Sequence, residues 1–472
     1  MVFSSSIFLF LFLPLVIIGY NLLKKKYRLC FLLLASLFFY TWGEPRYVLI
    51  MLLSIIINYS FGLFIHTSVA VQKKIIAKIL LVFSVACNLG ILFYFKYLDF
   101  SINTINRVFK ADFALHNIVL PIGISFFTFQ GMSYVIDLYQ QKVKVQKDPL
   151  KIAFYISFFP QLIAGPIVRY IDIEKQIYER DESAGKFISG ASRFIIGLAK
   201  KLVIANNMGY VTDLIFANHA TENIAATAWL GVICYAFQIY FDFSGYSDMA
   251  IGLGRMFGFE FLENFNYPYI SKTITEFWRR WHISLSSWFR DYLYIPLGGN
   301  RKGNVYVNLL IVFVLTGFWH GASFNFLVWG LWHGLFLIVE RLFTAREVKN
   351  KYLVPLRYTL TMLIVLIGWV FFRSPDLRYA LSYLGIMSGI VQPENPGFTV
   401  WYYLSLKVIF MLCLAALAST PVLKIKMAGN YFKIQGNIVL KTVISVMLLA
   451  LLFACIVIVT STSYNPFIYF RF

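Results

Sequence analysis

Apolar runs of nearly bilayer-spanning length recur from Ile7 to Val459, with no polar domain between them. Lipid offers no partner for a backbone N–H or C=O, so a chain of this pattern crosses as helices that satisfy their own backbone. About 20 apolar residues cover the hydrocarbon core. The runs at 7–23, 47–65, 75–97, 228–240, 305–319, 324–339, 360–372, 401–418 and 438–459 read as spans. A shorter run at 29–41 stops at Trp42-Gly43-Glu44-Pro45, a turn with an interfacial aromatic. The chain is 59% hydrophobic and 14% charged. Soluble domains hold roughly 45–50% and about 25%, so no soluble interior could hide this surface.

The middle of the chain is broken. Residues 118–138 carry Pro121, Gly123 and Gly131, residues 152–167 carry Pro160, Gly165 and Pro166, and 194–203 is short. Such pieces suit re-entrant or tilted helices buried in protein. The expectation is an all-α polytopic protein of about ten to twelve spans plus re-entrant pieces. It forms one membrane domain over residues 1–472. No repeat period emerges, which argues against a repeat-built transporter.

Forty-two Lys+Arg against 22 Asp+Glu give a net charge of +20. In a membrane chain this excess marks cytoplasmic loops and contact with anionic lipids, not nucleic acid. The first run has no basic residue before it and is followed by Lys24, Lys25, Lys26 and Arg28, which puts the N-terminus outside the cytoplasm. It lacks the charged start and cleavage site of a signal peptide. The five cysteines form no CxxC pair, and no metal site is expected. The loop at 260–303 interleaves Trp278, Trp281 and Trp288 with Arg279, Arg280, Arg290 and Arg301, a mix that suits interfacial amphipathic helices.

The most informative histidine is His320. The apolar stretch 305–339 around it would make about 50 Å of helix, too long for one crossing of a ~30 Å core. It must break, and 321–325 is the natural place. His320 then ends a helix and faces protein or a water-filled cavity, where an ionisable group marks a functional site or an interhelical hydrogen bond. Burial favours the neutral imidazole that a general base requires. His282 sits in Trp281-His282-Ile283-Ser284, either orienting an acyl group or lying at the interface. His333 follows His320 by thirteen residues and reads as structural; His66, His116 and His219 lie near loop or span ends.

Two further clusters stand out. Gln238, Tyr240, Asp242, Ser244, Tyr246, Ser247 and Asp248 fall at the end of a span, where paired carboxylates could bind a cation or position a substrate. The alternative is capping of a following helix by Ser244 or Ser247. Leu297-Gly298-Gly299-Asn300-Arg301-Lys302-Gly303 is a glycine-rich basic turn whose open amides and two cations could hold phosphate, or an ordinary cytoplasmic turn. It lacks P-loop spacing. No GxSxG elbow accompanies His320 and no HExxH occurs, so serine-hydrolase and metal-hydrolysis chemistries lose ground.

These residues resemble the membrane-bound O-acyltransferases, and more narrowly their bacterial polysaccharide O-acetylation branch; the D-alanyl branch for teichoic acids is more distant. The pieces occur in order over nearly the whole chain: Phe39-Tyr40-Thr41-Trp42-Gly43-Glu44-Pro45, Leu120-Pro121-Ile122-Gly123, Gln161-Leu162-Ile163-Ala164-Gly165-Pro166, Asp242-Phe243-Ser244-Gly245-Tyr246-Ser247-Asp248, Trp281-His282-Ile283-Ser284, Trp319-His320-Gly321 and Tyr464-Asn465-Pro466-Phe467.

The resemblance implies a ring of transmembrane and re-entrant helices around a central tunnel, in the cytoplasmic membrane. It implies His320 as the catalytic histidine and His282 as its assistant, steadying a thioester carbonyl. Gln238, Tyr240, Asp242, Ser244, Asp248, Trp281, Trp319 and Asn325 become expected substrate-binding residues. Asn300, Arg301 and Lys302 become expected donor-phosphate contacts, in a loop form that the D-alanyl branch lacks. No bound cofactor is implied: acetyl-CoA is the expected donor substrate, arriving from the cytoplasm. The acyl group would pass to an extracytoplasmic polysaccharide through a partner acetyltransferase. D-alanyl transfer, lipid-directed acylation and transport are the competing readings.

Overall fold

The computed structural model describes residues 1–218, 223–343, 351–393, 397–423 and 438–468. Every regular element among them is helical. Among the described residues, six helices are long and apolar enough to cross a membrane: α1 (Val48–Ala70), α2 (Lys74–Lys96), α4 (Ala225–Met256), α8 (Phe324–Phe343), α9 (Val354–Arg373) and α10 (Ile438–Ser461). A seventh helix, α3 (Ile124–Tyr139), is short and enclosed. The helices Phe8–Leu22, Val305–His320 and Leu406–Ala418 are apolar but shorter. The protein is therefore an all-α, multi-pass membrane protein with fewer full-length spans among the described residues than the ten to twelve expected. Several apolar runs are simply cut short. The run at 401–418, for example, breaks into Val400–Tyr403 and Leu406–Ala418, with the Ser405 hydroxyl capping the second piece.

The chain divides into two compact units: Met1–Phe194 with Ser247–Leu262, and Ile195–Tyr246 with Glu263–Phe472. In the first, α1 and α2 are joined by Asn58 and Asn88, whose amides exchange two hydrogen bonds of 3.0 Å. Both are buried. Paired amides of this kind hold helices together where lipid tails supply no hydrophobic drive. Gly131 on α3 lies so close to Asn58 that a Cβ would meet its Nδ2 at 2.3 Å. α3 is buried along nearly its whole length, as are Phe159–Leu162 and the second half of Pro149–Ser157. The expectation of broken segments enclosed by protein holds here, because their freed backbone groups find partners away from lipid.

The second unit carries α5 (Ile274–Arg280), α6 (Ile283–Phe289) and α7 (Val305–His320) besides α8, α9 and α10. α7 and α8 form a hairpin that crosses on glycine. A Cβ on Gly317 would meet the Phe326 carbonyl at 2.2 Å, and one on Gly330 the Phe313 carbonyl at 2.3 Å. Only glycine permits that approach, and it brings the end of α7 against the wall of α8.

Two expectations need correction. The cluster Gln238 to Asp248 does not end a span: α4 runs unbroken for 32 residues, its part up to Tyr246 in the second unit and the rest in the first. No helix starts at Ser244 or Ser247 for either to cap. The arm around Trp278, Trp281 and Trp288 is not interfacial either, since all three rings are buried. Alternating Trp and Arg looks the same in sequence whether the rings meet lipid headgroups or other aromatic rings.

Candidate active site

The apolar stretch 305–339 breaks where its length required. α7 ends at His320, Gly321 caps it, and α8 begins at Phe324. His320 is 6% exposed. Its ring sits edge to face with Trp319, Trp329 and Phe372, at centroid distances of 5.0, 5.1 and 5.1 Å. Beside it is a chamber of about 10 Å³ walled by Ile239, Phe243, Trp281, Trp329, Trp369, Phe372 and Ile468. That is room for about one water molecule or one methyl group. A larger cavity of about 320 Å³, lined by Gly321, Ser323, Arg373, Ser374 and Pro375 among others, shares Phe372 and Ile468 with the chamber wall.

The second histidine comes from the turn between α5 and α6, where it is the residue before α6. The ring centroids of His282 and His320 are 6.4 Å apart. His282 is fully buried between Phe243, at 4.5 Å, and Trp319, at 6.0 Å. Its backbone is left-handed, with φ 43° and ψ 54°, a conformation uncommon outside glycine. Asn264 holds it there. The Asn264 carbonyl accepts from Ile283 N at 2.9 Å. Its side-chain Oδ1 lies 3.1 Å from His282 Nδ1 and accepts from Ser284 N and Ser284 Oγ at 3.2 and 2.9 Å. His282 lies outside the membrane-crossing helices. Burial first, and nearby His320 second, hold its pKa well below the ordinary histidine value, so the ring is neutral.

The start of α5 is fixed from α8. Glu340 accepts from the backbone N–H of Ile274 at 2.6 Å and of Thr275 at 3.3 Å, while the Thr273 hydroxyl caps Glu276. These bonds satisfy the first-turn donors that a helix leaves open. Farther along α8, His333 packs between Trp278 and Trp329, each at 5.2 Å, and its two ring nitrogens make no hydrogen bond. A Cβ on Gly368 would meet His333 Nε2 at 2.6 Å. His333 is thus a packed core residue, as its spacing suggested. His66 and His116 are exposed, and His219 lies outside the described residues.

The other expected site residues lie at different distances from the histidines. Trp281 and Trp319 stand at the chamber or against its histidines, and Tyr240 packs behind Trp281 at 6.2 Å. Asn325 donates to the Ser374 carbonyl at 2.7 Å, tying α8 to the end of α9. Gln238 is buried beside Gly209, and Ser244 is buried within α4.

The two carboxylates do not form one site. Asp242 and Asp248 are six residues apart on one helix, about 600° of turn, and so face different ways. Each has its own cation. Lys201 Nζ lies 2.8 Å from Asp242 Oδ1, with both side chains at most 2% exposed, and Arg193 Nη2 lies 2.8 Å from Asp248. Asp242 Oδ2 also accepts from Ile468 N at 2.9 Å, and Lys201 donates to the Pro466 carbonyl. The pair therefore anchors the segment that places Ile468 in the chamber wall. Among the described residues no cluster of His, Cys, Asp and Glu could hold a metal ion.

The glycine-rich turn is stapled to itself. The amides of Gly298, Gly299, Arg301 and Lys302 donate to carbonyls of Ile295, Tyr294 and Gly298. Asn308 donates to the Gly299 carbonyl, and Asn300 Oδ1 accepts from Tyr294 Oη at 2.7 Å and Arg341 Nη1 at 2.9 Å. The expected cradle of open amides is thus largely spent within the turn. The cations remain: Arg301 and Lys302 are exposed, and Arg341 joins them from α8.

Sequence reasoning missed Asn264, Lys201, Glu340 and the ring donors Trp329, Trp369 and Phe372. Each sits in an ordinary polar loop or apolar helix, and only the fold brings it to the histidines or to the segments that hold them.

Residues 38–374 match the model of MBOAT, the membrane-bound O-acyltransferase family. "Probable alginate O-acetylase AlgI" of Pseudomonas putida is 40% identical over 494 aligned positions, covering 100% of both chains. The peptidoglycan O-acetyltransferase of Helicobacter pylori is 38% identical, covering 83% of this chain and 80% of its own. The teichoic acid D-alanyltransferase of Bacillus subtilis is 31% identical over 53% of this chain and 66% of its own. A match over most of the chain, together with histidines at a helix break within the matched residues, shows that this protein is an O-acyltransferase of the membrane-bound O-acyltransferase family.

Proposed function

We propose that this protein carries an acetyl group from a cytoplasmic thioester, acetyl-CoA by chemistry, to the far face of the cytoplasmic membrane for O-acetylation of an extracytoplasmic polysaccharide. His320 in its narrow aromatic chamber carries the reading. It serves as general base for an acceptor hydroxyl or as an acyl relay, with His282 assisting. A chamber with room for one methyl group suits an acetyl and opposes a long acyl chain. Arg301 and Lys302 meet the donor phosphates by charge, Trp281 walls the chamber, Trp319 packs against both histidines, and Gln238 and Asn325 support the site through the helices that they fix. The cavity beside Phe372 and Ile468 gives the acceptor its approach. An extracytoplasmic transferase completes delivery to the polymer, and the N-terminus lies on that same side.

The relatives named for alginate and peptidoglycan acetylation support the short acyl group. The D-alanyl relative covers much less of the chain, and D-alanyl transfer is the second reading. The test feeds membrane vesicles labelled acetyl-CoA, a D-alanyl thioester and palmitoyl-CoA. Label should reach polymer or protein hydroxyls from acetyl-CoA alone. Label from palmitoyl-CoA in chromatographed lipids would replace this reading with lipid acylation.

A further inference from the structure

The bonds around His282 decide which of its nitrogens carries the proton. Asn264 Oδ1 faces the backbone N–H of Ser284, which can only donate, so the amide presents its oxygen here and not its nitrogen. The same oxygen faces His282 Nδ1 at 3.1 Å. Two lone pairs would repel across that distance, so Nδ1 bears hydrogen. A neutral imidazole has one N–H. Nε2 is therefore left with its lone pair.

We propose that Asn264 is a positioning residue that locks His282 as the Nδ1-protonated tautomer, so that His282 serves the reaction as a proton acceptor through Nε2. The inference rests on the acyl-transfer reading above and assigns one residue's part within it. On this proposal His282 does not steady the thioester carbonyl, the part that the family resemblance implied for it. That task needs a second N–H, which this tautomer does not have. Transfer from thioester to hydroxyl forms one C–O bond, breaks one C–S bond and moves one proton from oxygen to sulfur. His282 can hold that proton on Nε2 in transit and give it to the departing thiolate. Among the described residues the titratable group acting on His282 is His320, and Asp242 on neighbouring α4 is paired with Lys201.

Two variants test this in membrane vesicles supplied with acetyl-CoA, with rates followed from acid to alkaline pH. Asn264→Asp keeps the acceptor oxygen but sets a carboxylate beside Nδ1, which raises the histidine pKa by about 1–3 units. Its rate–pH profile should shift toward alkali relative to the wild type, because the ring stays protonated to a higher pH. Asn264→Ala removes the lock. Its kcat should fall about tenfold at every pH, with the donor KM unchanged. An Asp variant with the wild-type pH profile, or an Ala variant at the wild-type rate, would overturn the proposal. So would equal losses in both variants with no change in profile shape, which mark a merely structural residue. His320→Ala runs alongside: if that variant keeps full activity, the acyl-transfer reading itself fails, whatever Asn264 does.

Discussion

The chamber at His320 and the glycine-rich turn at Leu297 to Gly303 lie in the same compact unit, yet they hold their polar groups in opposite ways. At the chamber, both imidazoles are almost wholly removed from water and gripped by aromatic edges and one buried amide. At the turn, the backbone is bound to itself and the charges of Arg301 and Lys302 reach outward. A group fixed in a dry site acts at full electrostatic strength and cannot be replaced by a neighbour. An exposed cation on a long stem is screened, mobile and partly redundant. The chamber should therefore govern kcat and the turn should govern only how the donor arrives.

That contrast can be broken from its largest effect downward. Lys201→Met leaves Asp242 buried without its cation, at a cost of about 3–5 kcal/mol. The melting temperature of the protein in detergent should drop, and Lys201→Met with Asp242→Leu should regain most of it. No drop in the single variant would mean that the pair does not hold the chamber wall. His282→Ala should lower kcat about a hundredfold in a folded protein, as loss of a positioned reacting group does. Steady-state rates with acetyl-CoA check this. Glu340→Ala removes the cap on α5 and should cost about tenfold in kcat, whereas Glu340→Gln keeps one oxygen and should recover part of it. Equal rates in the two Glu340 variants would show that the cap does not position the arm. Exchange of Arg301 and Lys302 for Ala should raise the donor KM a few-fold, about 2–5, with kcat unchanged. The wild-type advantage should fade as salt is added. A loss of kcat at the turn would erase the contrast.

How much of this could be read from the residues follows from what each signal encodes. His320 was legible because an apolar stretch too long for the bilayer must break, and the glycine after it marks where. The enclosed middle helices were legible from their Pro and Gly. The reading of Asp242 and Asp248 as one site failed because Gly245 and the serines between them look like a helix end. Gly245 instead allows close packing: a Cβ there would meet the Gly197 carbonyl at 2.7 Å. Asn264 carried no signal at all, since its partner lies eighteen residues away across a turn. Burial of the tryptophan arm was equally hidden, because composition reports amphipathic character but not which surface covers it.

The central claim is that the acyl group passes through the His320 chamber. The most direct measurement compares O-acetyl content of the surface polymer in cells carrying wild-type protein and His320→Ala, with membrane insertion of both confirmed by blotting. The account predicts loss of O-acetyl groups to the background of a strain lacking the protein. Wild-type acetylation by a properly inserted His320→Ala variant would contradict it.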